Sequence, residues 1–107
     1  MLLKKLSLLA LALSFSIFTQ AEIITEDIHY KVDGVEYTGY MAYDNSTGAH
    51  PGVLLVHEWW GLNDYAKTRA YMLAKQGYTA FALDLHGSGK QAAHPDNAKT
   101  FMMEVFN

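Results

Sequence analysis

The stretch Val53-Leu54-Leu55-Val56-His57-Glu58-Trp59-Trp60-Gly61-Leu62-Asn63 limits what this chain can fold into more than any other part of it. Four consecutive apolar residues stop at a His-Glu pair, two tryptophans and a glycine, and a helical pattern begins directly afterwards. A short apolar run bounded by turn signals reads as a strand buried on both faces, the kind found in a parallel sheet flanked by helices. Polar and aromatic residues at the C-terminal end of such a strand lie where open α/β sheets bind their ligands. The stretch therefore predicts a fold class and the position of a site within it.

The rest of the chain fits that frame. Ile28 to Val32 alternates apolar and polar, Asp33-Gly34 follows, and Val35 to Tyr43 alternates again. Asp-Gly between two β-rich runs signals a hairpin, because both turn positions need positive φ. Asp44 to Gly52 has the composition of a loop. After the strand Val53 to Val56, a helix is predicted from Asn63 or Asp64, either of which can cap free backbone N–H groups. It carries Ala66, Ala70 and Leu73 on one face, and Gly77 closes it in a left-handed conformation. Tyr78 to Leu83 reads as a second buried strand at which the sheet ends, Leu85 to Ala93 as a Gly-rich loop, and Pro95-Asp96 as the start of a helix. That helix places Ala98, Phe101, Met102 and Val105 on one side. A strand-helix-strand unit implies a right-handed parallel crossover, so the fold class is α/β.

The first 21 residues are expected to stand apart from this domain. Lys4 and Lys5 precede an apolar run from Leu6 to Phe18, and Thr19-Gln20-Ala21 offers small residues where a signal peptidase cuts. The run is short for a spanning helix, so residues 1–21 read as a secretory signal peptide, with an uncleaved anchor as the alternative. Residues 22–107 form the mature domain, exported to the periplasm or secreted. Two of the 8 basic residues leave with the signal while all 11 acidic ones remain, giving a net charge near −5. An acidic surface offers no attraction to nucleic acid or to an anionic membrane, so neither is expected as a partner, nor is stable membrane association after signal removal. Cys is absent, so no disulfide staples the domain. The helical pattern is still strong at Phe101 to Phe106, which reads as a chain cut from something larger.

Three features carry candidate chemistry. Glu58, at the end of a buried strand beside aromatic residues, would have its ionised form disfavoured unless paired, making it a tunable acid. The alternative is a strand-end carboxylate that caps the next helix or bridges to an arginine. Trp59 and Trp60 are either pocket walls or core packing, since a buried indole N–H needs a partner and suits the rim of a site. Lys90 is the cation of its loop able to hold an anionic substrate. Ser88 sits in His86-Gly87-Ser88-Gly89, but a nucleophile elbow needs glycine at both 86 and 90, where His86 and Lys90 stand. A zinc-protease reading of His57-Glu58 fails in the same way: the second histidine would fall at Gly61, and the five histidines show no ligand spacing. No metal or cofactor is expected, and His57 reads as a structural donor near the loop.

Taken together, the residues resemble the N-terminal part of the dienelactone hydrolase family, a branch of the α/β-hydrolases. The resemblance rests on the apolar strand running into His57-Glu58-Trp59-Trp60-Gly61-Leu62-Asn63, on Leu73-Ala74-Lys75-Gln76-Gly77-Tyr78, and on Ala82-Leu83-Asp84-Leu85-His86-Gly87. It extends over Ile28 to Phe106. It implies an α/β-hydrolase fold and hydrolysis of a small-molecule ester or lactone by a triad of nucleophile, Asp and His, the nucleophile usually Cys and sometimes Ser. It further implies that Glu58 faces the nucleophile and influences its protonation, and that Trp59 gives a backbone N–H to the oxyanion hole. Trp60 and Lys90 then fall to the substrate pocket. Nucleophile, acid and base match no position in this chain, which is accordingly expected to be inactive alone. A non-catalytic binding protein on the same fold and a non-functional truncated product are the alternatives.

Overall fold

The computed structural model describes residues 22–46 and 48–107; the signal peptide expected over residues 1–21 lies outside the described residues. Asp33 and Gly34 have φ of 50° and 79°, so the Asp-Gly pair makes the two-residue turn that its composition requires. It joins β1 (Ile23–Val32) to β2 (Val35–Asp44), antiparallel, with Val32 opposite Val35. β1 begins at Ile23 and not at the expected Ile28. Glu26 and Asp27 are weak strand formers that hide the alternation, yet they are tolerated on an outer strand, where Glu26 accepts a bond from the Tyr43 hydroxyl at 3.1 Å.

β3 (Gly52–Val56) leads through the His57–Asn63 loop into α1 (Asp64–Lys75). Asn63 Oδ1 accepts from the Ala66 N–H at 3.2 Å, which fixes the N-cap among the two candidates. At the other end the Gly77 N–H reaches the Ala74 carbonyl and the Tyr78 N–H reaches that of Leu73, a complete Schellman closure with Gly77 at φ +96°. β4 (Thr79–Leu83) follows, and α2 (Pro95–Phe106) is capped by the His94 ring at the Asp96 N–H.

The four strands lie in the order β1-β2-β4-β3. This corrects two expectations. The sheet does not end at β4: β4 is inserted between β2, to which it is antiparallel, and β3, to which it is parallel. β3 is, with β1, an edge strand of the described sheet, and it is not buried on both faces: Leu55 packs into the core while Leu54 and Val56 point the opposite way, 65% and 59% exposed. The physical reason is that only one face of the described sheet is covered. α1 lies across β2 and β4 and buries Ala66, Ala70 and Ala74 against Ala42, Ala80 and Ala82. Small residues on both partners allow this close approach. On the opposite face, Gly39 makes room for the Phe81 ring, since a Cβ there would lie 2.6 Å from the ring carbon Cζ. Of the residues expected on the packed side of α2, Ala98 is buried, Phe101 and Met102 are half-buried, and Val105 is exposed. Among the described residues no helix is long and apolar enough to cross a membrane.

Candidate functional site

The site forms where the C-terminal ends of β3 and β4 open into loops. Asp84 closes β4 and organises the second loop. Its buried carboxylate accepts three backbone N–H groups: His86 and Gly87 on Oδ1, both at 3.0 Å, and Thr38 on Oδ2 at 3.1 Å. Tyr30 of β1 reaches across to the same residue, donating to its carbonyl at 2.8 Å and accepting from its N–H at 2.9 Å. Burial pushes the Tyr30 hydroxyl above its ordinary range; the bond it accepts from the Asp84 N–H opposes this, while the nearby Asp84 charge and Tyr37 add to it. The start of the 84–92 loop is thus tied to the hairpin at several points.

The His57–Gly61 loop is in turn tied to the 84–92 loop. The Leu85 N–H donates to His57 Nε2 at 3.0 Å, and His57 Nδ1 pairs with the Glu58 carbonyl at 2.6 Å. His86 Nε2 pairs with the Trp59 carbonyl at 2.8 Å, and the Ala92 N–H donates to the Trp60 carbonyl at 2.8 Å. Gly61 has φ +97° and passes so close that a Cβ would lie 2.6 Å from the Lys90 carbonyl, so only glycine fits this crossing.

A cavity of about 470 Å³ opens beside this loop, floored by Leu55 and Val56 and rimmed by Glu58, Trp60, Tyr65 and Arg69. Glu58 and Trp60 are therefore brought together. Glu58 is exposed on the open rim; the enclosed carboxylate expected from a buried strand is not found, because β3 is an edge. The Trp59 ring packs edge-on against Trp60 at 5.3 Å but lines a separate depression with His86, Leu85 and Met102. Lys90 is not beside Glu58: its ammonium pairs with Glu104 at 3.0 Å and lies over the Phe101 ring. Ser88 is exposed, its hydroxyl 2.7 Å from that of Thr38, which pairs with His29. No imidazole or carboxylate touches the Ser88 hydroxyl among the described residues, so nothing here activates it as a nucleophile.

The sequence reading missed Tyr65 and Arg69 in the cavity wall. Their signal was present: they stand four apart on α1, each one position before the buried Ala66 and Ala70, so the stripe beside the core stripe faces the cavity. His57 is the structural donor expected near the loop, and it also forms an edge-to-face pair with His86 at 4.8 Å.

Residues 37–107 match the model of the dienelactone hydrolase family. A protein of Aquifex aeolicus (strain VF5), named provisionally as a carboxymethylenebutenolidase, is 38% identical over 82 residues, covering 74% of this chain and 34% of that protein. YghX of Escherichia coli (strain K12), named provisionally as a hydrolase fragment, is 35% identical over 92 residues, covering 82% of this chain and 79% of its own. The solved structure m3DLH superposes with a TM-score of 0.71 at 34% identity, over 78% of this chain and 35% of that one. YghX apart, the chain spans about a third of the length of the curated relatives it matches. The α/β sheet, the loop at its β3 end and the match over β2 to α2 agree: the chain belongs to the dienelactone hydrolase family.

Proposed function

We propose that this chain supplies one wall of the active site of an exported ester or lactone hydrolase that works by nucleophilic acyl transfer. The observation that carries this reading is the Trp59 N–H: it lies in a tethered loop at the end of β3 and donates to no other group among the described residues. In acyl transfer a nucleophile adds to the ester carbonyl carbon, the carbonyl oxygen takes up the electron pair, and fixed backbone donors stabilise that oxyanion. Trp59 is assigned one such donor. Glu58 is assigned the control of the nucleophile's protonation and Trp60 a wall of the substrate pocket. Arg69 offers the cavity a cation, in the role first given to Lys90, which is held by Glu104. Nucleophile, acid and base come from outside these residues. The provisional name of the Aquifex aeolicus relative, a carboxymethylenebutenolidase, supports this substrate class. The match to YghX, named as a fragment, favours a second reading in which the chain is a truncated product without turnover.

The test is an aryl-ester assay on the 107-residue chain and on a complete enzyme that contains it. The complete enzyme should turn the ester over, and the chain alone should show no rate above background, since it lacks a nucleophile-base pair. Saturable turnover by the chain alone, abolished by Ser88→Ala, would move the chemistry to Ser88 and overturn this reading. Export makes a separate prediction. N-terminal sequencing of the protein recovered outside the cytoplasm should begin at Glu22, and intact Met1 in the membrane fraction would establish an anchored form.

A further inference from the structure

We propose that His57 and His86 are positioning residues that set the orientation of the Trp59 N–H; the inference rests on the oxyanion role proposed for that N–H. The tautomers follow from the partners. A backbone N–H can only donate, so His57 Nε2, which receives it from Leu85, is bare, and Nδ1 carries the proton given to the Glu58 carbonyl. A carbonyl can only accept, so the proton of His86 is on Nε2, directed at the Trp59 carbonyl. His86 Nδ1 is buried with no partner. Of the two neutral tautomers, the one with its proton on Nε2 leaves no buried donor without an acceptor.

These bonds fix two successive peptide planes. The peptide between Glu58 and Trp59 is trans, so pinning its carbonyl to His57 puts the Trp59 N–H on the opposite side of the plane. The Glu58 carbonyl also receives the Gly61 N–H at 3.1 Å, closing a tight turn. The next carbonyl, that of Trp59, is held by His86, so the residue is anchored from both sides. The two rings brace each other at 4.8 Å, and Phe101 of α2 backs His86 at 5.7 Å. An oxyanion donor held this way need not reorganise as negative charge develops on the substrate, which is the condition under which such donors act most strongly.

The experiment compares His86→Phe, which keeps an aromatic ring but has no donor, with His86→Gln, whose Nε2 can stand in for that of the imidazole. Both are made in a complete enzyme that contains this chain. Hydrogen exchange of the 57–61 backbone amides is read beside that of α1, and kcat and KM are measured for an aryl ester. His86→Phe should speed exchange in the 57–61 loop about threefold to tenfold, the factor one lost hydrogen bond produces. It should lower kcat about tenfold with KM unchanged, because the interaction is realised in the transition state. His86→Gln should restore both. Unchanged loop exchange in His86→Phe overturns the proposal. If His86→Phe also loosens α1, the glutamine variant decides: protected loop amides support the clamp and unprotected ones overturn it. Loop exchange that rises in His86→Phe and is rescued by glutamine, with kcat constant throughout, would retain the clamp and remove the oxyanion role from Trp59.

Discussion

Replacing Asp84 by alanine is expected to cost about 4 kcal/mol of stability, the order set by removing a buried charged acceptor from several donors at once. Three N–H groups, of Thr38, His86 and Gly87, would lose their partner in a place that water does not reach freely. Against a total stability of roughly 5–15 kcal/mol for a domain, that is enough to populate unfolded chains. The effect extends to the site, because Asp84 anchors the loop that carries His86 and Ala92, and these hold the Trp59 and Trp60 carbonyls. Asp84→Asn should cost less, about 1–2 kcal/mol: one oxygen still accepts two N–H groups, while the amide turns a donor toward the third. Urea unfolding of the complete enzyme and its two variants measures this. An alanine variant within about 0.5 kcal/mol of the parent, the range of an ordinary surface change, would show that the carboxylate is not the tether.

What could be read from the sequence was local. The Asp33-Gly34 turn, the Asn63 cap and the Gly77 closure each depend on a few neighbouring residues whose backbone demands are specific, and each is found in place. The order of the strands was not readable in that way. Val53–Val56 and Thr79–Leu83 are both short apolar runs, and nothing within either states that β4 is inserted next to β2 and leaves β3 at the edge. That choice depends on contacts between distant segments, such as the Ala42, Ala80 and Ala82 patch that receives α1 and the space Gly39 leaves for Phe81. The exposure of Glu58 follows from the same non-local fact.

The site was legible in the same uneven way. Glu58, Trp59 and Trp60 are proposed from one contiguous motif at a strand end, and the fold brings Glu58 and Trp60 to one cavity. Lys90 was chosen as the cation of a loop, but its partner Glu104 lies on a helix 14 positions later, and that pairing removes it from the cavity. Arg69 reaches the cavity from the opposite direction, by helical periodicity. The paired histidines lie 29 positions apart in sequence, and only the approach of two loops makes them one unit.

Glu58→Gln in a complete enzyme is expected to lower turnover about a hundredfold, within the range ascribed to groups that manage a proton in the transition state. The variant is nearly isosteric, and Glu58 makes no side-chain hydrogen bond or ion pair among the described residues, so stability should change by less than about 0.5 kcal/mol. The loss should therefore be confined to chemistry. Trp59→Ala should be milder, because the backbone N–H survives and the changes are confined to the walls around it.

The central claim is that the end of β3 is half of a catalytic centre. Its most direct test is the pH dependence of kcat/KM for Glu58→Gln beside the unaltered enzyme, with thermal melts of both. A carboxylate that governs the nucleophile's protonation must leave its mark on that profile, so the account predicts a changed pH–rate curve with an unchanged melting temperature. The same pH–rate curve with a lowered melting temperature would make Glu58 a scaffold residue and contradict the assignment of this loop to the active site.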